Sequence, residues 1–249
     1  LRFLLADDPG AGKTIMAGLL IKELIIRGDV DRCLIVAPGS LVEQWQDELD
    51  EKFNLPFEIL TNEGLAAART GNWFQEHNLC IARLDKLSRN EDIQTKLTVV
   101  DWDLVIVDEA HRLGGSTDQV ARFKLGQGLA EAAPYFLMLS ATPHQGKTDA
   151  FHRLVSLIDA QEFPDVGSVT RERVQPHVIR TEKRRAIDAD GKPLFKPRRT
   201  QLAPISWEER HRNQQLLYEA VTEYVREGYN QAMREKRSYI GFLMILMQR

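Results

Sequence analysis

The chain has 249 residues, of which 43% are hydrophobic and 28% are charged, and this composition excludes a disordered or collagen-like protein. Its formal net charge of −3 excludes a general attraction to nucleic acid, so a polyanion has to meet a local basic surface or backbone amides. No apolar run approaches the ~20 residues of a membrane helix, and the two cysteines, Cys33 and Cys80, provide no disulfide framework. We therefore expect a protein of the reducing cytoplasm with no membrane partner.

Short apolar runs alternate with longer amphipathic stretches along the first two-thirds of the chain. Strands are predicted at residues 3–6, 33–37, 57–60, 79–82, 104–107 and 135–139, and helices at residues 14–26, 41–52, 118–132 and 149–158. Runs that are apolar throughout are typical of strands that helices cover on both faces. The alternation therefore predicts an α/β fold with a doubly wound, mostly parallel sheet.

The first predicted strand leads into a glycine-rich loop that opens the first predicted helix, as a phosphate-binding P-loop does. Gly10 and Gly12 let the backbone wrap closely around phosphate oxygens, and the start of the helix adds its partial positive charge. Lys13 is expected to neutralise the β- and γ-phosphates of ATP, and the Thr14 hydroxyl to bind Mg²⁺. The usual first glycine of the motif is Asp7 here. The predicted nucleotide-binding residues are Asp8, Pro9, Gly10, Ala11, Gly12, Lys13 and Thr14.

A second candidate site follows the predicted strand at 104–107, in the sequence Asp108-Glu109-Ala110-His111. Doubly wound sheets bind ligands at the carboxyl ends of their strands, which is where this acidic pair lies. Asp108 is expected to hold Mg²⁺ directly or through water, and Glu109 to orient or deprotonate the attacking water. Together with Lys13, these two carboxylates are the predicted catalytic residues.

The next apolar run, at 135–139, ends in Ser140, Ala141 and Thr142. The hydroxyl groups of Ser140 and Thr142 can bond the turn that contains His111 and so transmit the state of the nucleotide. We expect His111 to link the two loops, although a capping role on its own turn and an ordinary loop after a strand are the alternatives. The six histidines of the sequence show no metal-ligand spacing with cysteine.

The composition changes after residue 159. Residues 180–199 carry eight basic and three acidic side chains, which favours either an electrostatic contact with nucleic acid or a solvated, ion-paired linker. A strand is predicted at 200–205, and the capping-box spacing of Ser206 and Glu209 predicts a helix towards the end of the chain, with a break near Gly228 left open. The apolar end at 242–247 and a start at the first core strand predict a piece of a longer protein.

These motifs, in this order, resemble those of superfamily-two helicases and translocases, of which the Asp-Glu-Ala-His box and the Ser-Ala-Thr motif are marks. Three further features are similar to Swi/Snf ATPases: Asp7 in place of the first glycine, residues 34–45 as their motif Ia, and residues 141–147 followed by a helix and Val178-Ile179-Arg180. Bacterial members are the most similar, among them RNA polymerase-associated ATPases and helicase-like subunits of phage-defence systems. The resemblance covers essentially the whole chain.

The resemblance implies a RecA-like ATP-binding lobe with motifs I, Ia, Ib, II and III at 1–160, a basic linker with a returning strand at 161–205, and a helical extension at 206–249. It implies ATP and Mg²⁺ as cofactors, and a full protein that moves along duplex DNA and remodels protein–DNA complexes in a bacterial or archaeal cytoplasm. RNA polymerase or defence-system subunits are the expected protein partners. The upstream motif that reads adenine and the second RecA-like lobe, whose arginine finger completes the ATP site, are not in this sequence. We therefore expect the isolated chain to be inactive in hydrolysis.

The resemblance also implies nucleic-acid contacts at Pro38, Gly39, Ser40 and Arg83. The amides of this loop and the Ser40 hydroxyl can meet a phosphate, and Arg83 falls where the family has another backbone contact. Ser40 is equally suited to cap the helix that follows. Gln44 and Trp45 are interpreted as helix packing rather than as a platform for base stacking.

Three alternatives to a translocase on duplex DNA stay open. They are an RNA helicase or restriction-type translocase of the same superfamily, a P-loop phosphotransferase acting on a small molecule, and a nucleotide-binding module without turnover. The phosphotransferase is disfavoured because its chemistry has no use for a Ser-Ala-Thr loop coupled to an Asp-Glu-Ala-His box. The intact Lys13 and Glu109 disfavour the module for the full protein, although it describes the isolated chain.

Overall fold

The computed structural model describes residues 1–114, 120–144, 146–196, 199–203 and 207–235 of the chain. The chain divides into two units, Leu1–Pro197 and Arg198–Arg249. The first unit contains a parallel sheet with helices on both faces, and the described residues of the second include a long helix.

Within the described residues the first unit forms a sheet of seven strands, and each strand pair is parallel. The strands are β1 (Arg2–Leu5), β2 (Cys33–Ala37), β3 (Glu58–Ile59), β4 (Leu79–Arg83), β5 (Leu104–Val107), β6 (Tyr135–Leu139) and β7 (Val178–Ile179). Their order across the sheet is β3-β4-β2-β5-β6-β1-β7. The predicted α/β fold with a doubly wound sheet is confirmed, and the six predicted strands agree with β1–β6 to within one residue at each end.

Helices connect the strands. They are α1 (Lys13–Arg27), α2 (Val42–Phe53), α3 (Asn62–Ala67), α4 (Trp73–Glu76), α5 (Leu84–Arg89), α6 (Glu91–Thr98), α7 (Val120–Glu131), α8 (Thr148–Ser156), α9 (Arg171–Val174) and α10 (Arg212–Glu235). Short 3₁₀ helices lie at Ala110–Leu113, Val166–Ser168, Gln175–His177, Lys183–Arg185 and Glu209–His211. The four predicted helices correspond to α1, α2, α7 and α8, whereas α3–α6 were not predicted. None of the described helices combines the length and the apolarity needed to cross a membrane.

The two faces of the sheet carry separate apolar clusters, which explains why the central strands are apolar throughout. In β2, Leu34 and Val36 belong to one cluster, and Cys33, Ile35 and Ala37 belong to the other. Helices α1 and α2 cover the second cluster, and α5–α8 cover the first. A strand that is covered on both sides has no solvent-facing positions for polar residues.

The two cysteines lie in adjacent strands but belong to opposite faces of the sheet. Cys33 packs in the cluster beneath α1 and α2, whereas Cys80 packs in the other cluster. Both thiols are free and buried, and burial raises the pKa of Cys80 to about 12. These thiols are therefore part of the core and unreactive at neutral pH.

The structure corrects the prediction for the C-terminal part at two points. Residues 200–203 form no strand, and the strand that returns to the sheet is β7, beside β1. Two prolines, Pro197 and Pro204, flank this stretch in the sequence and lack backbone donors, which disfavours strand pairing there. Helix α10 continues through Gly228 without a break, because one interior glycine costs a helix only about 1 kcal/mol.

The entry to α10 also differs from the prediction. Glu208 accepts from the backbone N–H of His211, and the His211 side chain accepts in turn from the N–H of Glu208. Ser206, the predicted cap, lies outside the described residues. The same holds for residues 118–119 of the predicted helix, for Gln145 of the Swi/Snf-like stretch and for the apolar end at 242–247.

The Arg2 guanidinium joins the start of β1 to the ends of two helices. It donates to carbonyl oxygens at the ends of α7 and α8 and lies 5.3 Å from the centre of the Phe136 ring. The acceptors are Ala130 at 2.8 Å, Ala133 at 3.3 Å, Leu157 at 2.8 Å and Ile158 at 2.8 Å. The last carbonyls of a helix have no partner within the helix, so a cation at this point satisfies them and the helix dipoles together.

We expect Arg2→Met to lower the free energy of unfolding by about 2–4 kcal/mol, because several buried carbonyl groups lose their donor. Arg27→Met is the control, since Arg27 forms an exposed pair with Glu23 at 2.6 Å and should contribute at most about 0.5 kcal/mol. Urea unfolding followed by circular dichroism measures both. Equal losses in the two variants would contradict the assigned role of Arg2.

Candidate functional site

Three loops meet at the carboxyl edge of the sheet because β5, β6 and β1 are consecutive parallel neighbours. A cavity of about 780 Å³ lies among these loops, the loop after β2 and one side of α2. Of the predicted site residues, Pro9, Gly10, Gly12, Lys13, Thr14, Pro38, Ser40, Asp108, Glu109, His111, Ala141 and Thr142 line it. The predicted residues outside its lining are Asp8, Ala11, Gly39, Arg83 and Ser140.

The loop between β1 and α1 has the backbone conformation that its glycines predict. Gly10 has φ +68° and Gly12 has φ +89°, a region that strains any residue with a Cβ atom. Gly12 is the N-cap of α1, a helix of 15 residues. The free amides at the start of this helix, with their partial positive charge, face the cavity and can bind an anion.

Lys13 places its ammonium group inside this loop. Its Nζ donates to the carbonyl oxygens of Asp7 at 2.8 Å and Asp8 at 3.3 Å. The Ala11 N–H donates to the same Asp8 carbonyl at 3.1 Å, which closes the turn. A full positive charge and a set of amides therefore share the space into which phosphates would fit.

Asp7, which replaces the usual first glycine, is 1% exposed and has a structural partner. Its carboxylate accepts from the backbone N–H of Thr181, just after β7. The neighbouring Asp8 carboxylate accepts from the N–H of Lys183 at 3.0 Å. The sequence gives no signal for these contacts, because the partners lie more than 170 residues further along the chain.

Asp108 is held by two donors at the end of β5. Its Oδ1 accepts from the N–H of Glu109 at 2.8 Å, and its Oδ2 accepts from the indole N–H of Trp45 at 2.9 Å. Asp108 is 8% exposed and Trp45 is 2% exposed. The packing predicted for Trp45 is thus correct, but its hydrogen bond was missed. Trp45 is a positioning residue that acts through the Asp108 carboxylate.

Glu109 adopts a left-handed backbone conformation, with φ +47°. For a residue with a side chain this costs about 1–2 kcal/mol, so the surrounding contacts have to hold it in place. The bond between its own N–H and Asp108 is one such contact. The sharp turn directs the Glu109 carboxylate along the cavity, beside His111 rather than away from it.

His111 lies between the acidic turn and the loop after β6. Its Nδ1 is 3.1 Å from Oε2 of Glu109 and 3.1 Å from Oγ of Ser140. Burial lowers the pKa of His111 below its ordinary value, an effect that the neighbouring Glu109 carboxylate opposes. The imidazole is therefore neutral at pH 7. Ser140 is fully buried, and its Oγ also accepts from the N–H of Thr142 at 3.3 Å.

The donor atoms near the loop suit Mg²⁺. Thr14 offers a hydroxyl and Asp108 a carboxylate, and Mg²⁺ binds hard oxygen ligands. No cluster of three or more His, Cys, Asp or Glu side chains that could hold a metal ion occurs in the described part of the chain. Mg²⁺ in nucleotide sites typically has only one or two protein ligands beside phosphates and water, so this sparse donor set fits the ion.

The predicted nucleic-acid residues lie together because β2 and β4 are parallel neighbours. A Cβ atom on Gly39 would lie 3.5 Å from Cδ of Arg83, so this arginine packs over the loop after β2. Arg83 also donates to Oε1 of Glu43 at 2.6 Å. Ser40 is exposed, and the N-cap of α2 is Leu41, which forms no side-chain cap. The alternative role of Ser40 as a helix cap is therefore wrong.

Part of the basic segment 180–199 forms contacts within the segment itself and with the glycine-rich loop. Glu182 forms ion pairs with Arg184 and Arg185, and the backbone of residues 181 and 183 is bonded to the glycine-rich loop. These contacts favour the ion-paired linker over a free surface for nucleic acid at 180–185.

Comparisons with known proteins agree with this geometry. The sequence model of the SNF2-related domain matches residues 2–224. RNA polymerase-associated protein RapA of Pseudomonas aeruginosa (strain LESB58) is 39% identical over 175 residues, which are 70% of this chain and 18% of that protein. RapA of Vibrio vulnificus (strain YJ016) is 39% identical over 178 residues, again 70% of this chain and 18% of that protein. The chain thus spans about a fifth of the length of these relatives.

Two solved structures have a similar fold. The Sulfolobus solfataricus SWI2/SNF2 ATPase core in complex with dsDNA superposes with a TM-score of 0.63 at 18% identity, covering 98% of this chain and 52% of that one. The Hef helicase domain of Pyrococcus furiosus superposes with a TM-score of 0.57 at 18% identity, covering 94% of this chain and 45% of that one. At this level of identity the likeness establishes the fold alone.

We expect Trp45→Phe to raise by about 3- to 10-fold the Mg²⁺ concentration that supports half-maximal ATP binding, because Asp108 loses a donor that orients its carboxylate. Trp102→Phe is the control: its indole donates to the carbonyl of Leu97 at 3.1 Å and lies in the other apolar cluster. Both variants should lose similar stability. Calorimetric ATP titrations at graded Mg²⁺ concentrations measure the difference, and an equal Mg²⁺ requirement in the two variants would refute the role of Trp45.

Proposed function

Because the chain belongs to the SNF2-related domain family, we propose that it is the ATP-binding lobe of a motor that hydrolyses ATP and moves along duplex DNA. One observation carries this proposal. Lys13, Thr14, Asp108 and Glu109 line one cavity at the carboxyl edge of a parallel sheet. That set contains a cation for phosphates, two oxygen ligands for Mg²⁺ and a carboxylate for the attacking water, which are the parts that hydrolysis of a nucleoside triphosphate needs.

Each residue of the site has a role that follows from its position. Lys13 and the amides of Gly10 and Gly12 bind the phosphates, and Thr14 and Asp108 would hold Mg²⁺. The Ala11 N–H closes the turn of the loop and so holds these amides in place. Bound Mg²⁺ supplies neutralisation of the phosphate charge. Glu109 orients the water and accepts its proton, and its strained backbone fixes the direction from which the water is held.

His111 couples this site to the loop after β6. When its Nδ1 carries the proton, it donates either to the Glu109 carboxylate or to the Ser140 hydroxyl, and the two acceptors compete for that one proton. A change in the contacts of Glu109 during hydrolysis therefore alters the bond to Ser140. We assign to His111, Ser140, Ala141 and Thr142 the transmission of the nucleotide state from the catalytic carboxylate to the rest of the motor.

Pro38, Gly39, Ser40 and Arg83 form the proposed contact with the DNA backbone. The exposed Ser40 hydroxyl supports this assignment, as does the packing of Arg83 over Gly39. The Glu43 carboxylate that now pairs with Arg83 is exposed, so a phosphate can replace it at little cost. Such contacts position the motor on the duplex without reading its sequence.

The proposed motor includes parts that lie outside this chain. A second RecA-like lobe supplies the arginines that complete the site, and RNA polymerase is the proposed partner, by analogy with relatives named for their association with it. Residues 1–160 contain the motifs of the catalytic lobe, residues 161–205 add strand β7 to its sheet and then form the basic linker, and residues 206–249 form the helical extension, in a bacterial or archaeal cytoplasm. Whether duplex DNA, single-stranded DNA or RNA stimulates hydrolysis by the full protein separates this proposal from an RNA helicase or restriction-type translocase.

We expect Glu109→Gln to retain ATP binding and to lower kcat by about 100-fold or more, because the amide keeps the shape but cannot accept a proton. Lys13→Ala should instead weaken binding sharply and abolish turnover, since it removes the one full charge inside the loop. Steady-state hydrolysis and equilibrium binding, measured on the protein that contains this chain, separate the two effects. Normal hydrolysis by Glu109→Gln would disprove its role, and near wild-type turnover by Lys13→Ala would remove the P-loop assignment.

The isolated chain of 249 residues should bind ATP weakly and show no hydrolysis that duplex DNA stimulates. Arginine fingers contribute about 10³- to 10⁵-fold in P-loop enzymes, and Arg112, the arginine that lines the cavity, follows directly after the acidic turn on the same side. A steady-state assay with and without duplex DNA is the measurement. DNA-stimulated turnover by the isolated chain would refute the need for a second lobe.

A further inference from the structure

The loops at the carboxyl edge of the sheet follow one another in the order β5, β6, β1, β7. Asp108 and Glu109 follow β5, Ser140 follows β6, and the glycine-rich loop follows β1. Residues 180–185, which we call the strap, follow β7 on the opposite side of the glycine-rich loop. A phosphate chain in that loop therefore has the acidic residues towards one end and the strap towards the other.

Backbone hydrogen bonds fix the strap to the glycine-rich loop. The Ala6 N–H donates to the carbonyl of Ile179 at 2.7 Å, which continues the pairing of β1 with β7. The N–H groups of Thr181 and Lys183 then donate to the carboxylates of Asp7 and Asp8. Two consecutive acidic residues of the loop thus hold alternate amides of the strap.

These bonds place the Lys183 ammonium group beside the glycine-rich loop. A Cβ atom on Gly10 would lie 3.1 Å from Nζ of Lys183. The same Nζ lies 5.0 Å from the centre of the Phe195 ring, so a cation–π contact keeps it there. Among the ion pairs that the described residues form, none includes Lys183, whereas Arg184 and Arg185 are paired with Glu182. An ammonium group without a carboxylate partner is thus held beside a loop built to bind anions.

We propose that Lys183 is a further nucleotide-binding residue, which contacts the phosphates nearest the nucleoside; this rests on the proposed binding of ATP in the same loop. Mg²⁺ and the attacking water require the terminal phosphate to lie on the side of Asp108 and Glu109. The nucleoside end then lies on the side of β7, where Lys183 is. The ligand class is a nucleoside diphosphate or triphosphate, and both share the phosphates that Lys183 contacts.

Substitutions of Lys183 test whether its charge contributes to nucleotide binding. Lys183→Met keeps the length of the side chain but removes its charge, and should weaken the binding of MgADP and MgATP by the same factor of about 5- to 20-fold, as expected for a charge-assisted hydrogen bond. Lys183→Arg should stay within about threefold of the wild type. The control is Lys192→Met. It removes one charge from the same basic segment, between Gly191 and Pro193, and should leave both affinities unchanged.

The measurement is calorimetric titration of the 249-residue chain with MgADP and MgATP. Unchanged affinities in Lys183→Met, with binding lost in Lys13→Ala, would overturn the inference and leave the proposed function intact. A loss confined to MgATP would also overturn it, because it would place Lys183 at the terminal phosphate. Absence of nucleotide binding by the wild type would refute the proposed function, and this inference with it.

A second measurement needs no variant of Lys183. We expect MgADP to slow the acetylation of Lys183 by acetic anhydride, read by mass spectrometry, and to leave that of Lys192 unchanged. Equal rates at Lys183 with and without saturating MgADP would overturn the inference even if Lys183→Met failed to fold.

Discussion

The parallel register of β1 between β6 and β7 is the constraint on which the site depends. Because all strand pairs are parallel, every strand delivers its following loop to the same edge, and the neighbours of β1 decide which loops meet the glycine-rich one. On one side these are the loop after β6 and, one strand further, the acidic turn after β5. On the other side it is the strap after β7. The chemistry of each loop would be of little use without this order, since residues more than 90 positions apart in sequence have to lie within one cavity.

Buried polar contacts then orient the side chains that the sheet brings into the site. Two residues other than glycine have positive φ in the described part of the chain, Asn54 and Glu109. Asn54 ends α2, where a left-handed residue is common, whereas Glu109 lies in the site and gains nothing from a helix end. Its strain persists because Asp108 is itself fixed by Trp45, so the strained turn has a rigid base. A packing residue of α2 thereby takes part in the orientation of two carboxylates.

The sequence predicts the central fold well because burial on both faces leaves an unmistakable pattern. β2, β5 and β6 are apolar throughout and agree with their predicted bounds, whereas β7 has two residues, too few for any period. The missed helices α3, α4 and α6 are short, and their signals are the small caps Thr61, Asn72 and Asn90, each of which accepts from a backbone N–H two or three residues on. The residues of the proposed catalytic site lie in local motifs, but the contacts of Trp45, Asp7 and Lys183 involve partners distant in sequence, which no local pattern encodes.

Under the proposed function, the distribution of charge favours binding of a nucleotide by this lobe over its hydrolysis. Lys13 is held by backbone carbonyls and Lys183 by an aromatic ring, so both cations lie beside the loop that a phosphate chain would enter. Lys183, beside the phosphates nearest the nucleoside, would act on the ground state and on the transition state alike and so contribute to affinity more than to rate, whereas Lys13 would also meet the charge that develops at the terminal phosphate. Differential stabilisation has to come from charge that arrives as the terminal phosphate is transferred, on the side of the cavity that this lobe leaves open. A motor of the proposed kind gains from that arrangement, because hydrolysis would wait until a second lobe closes on the site, and that closure would be the movement that ATP drives.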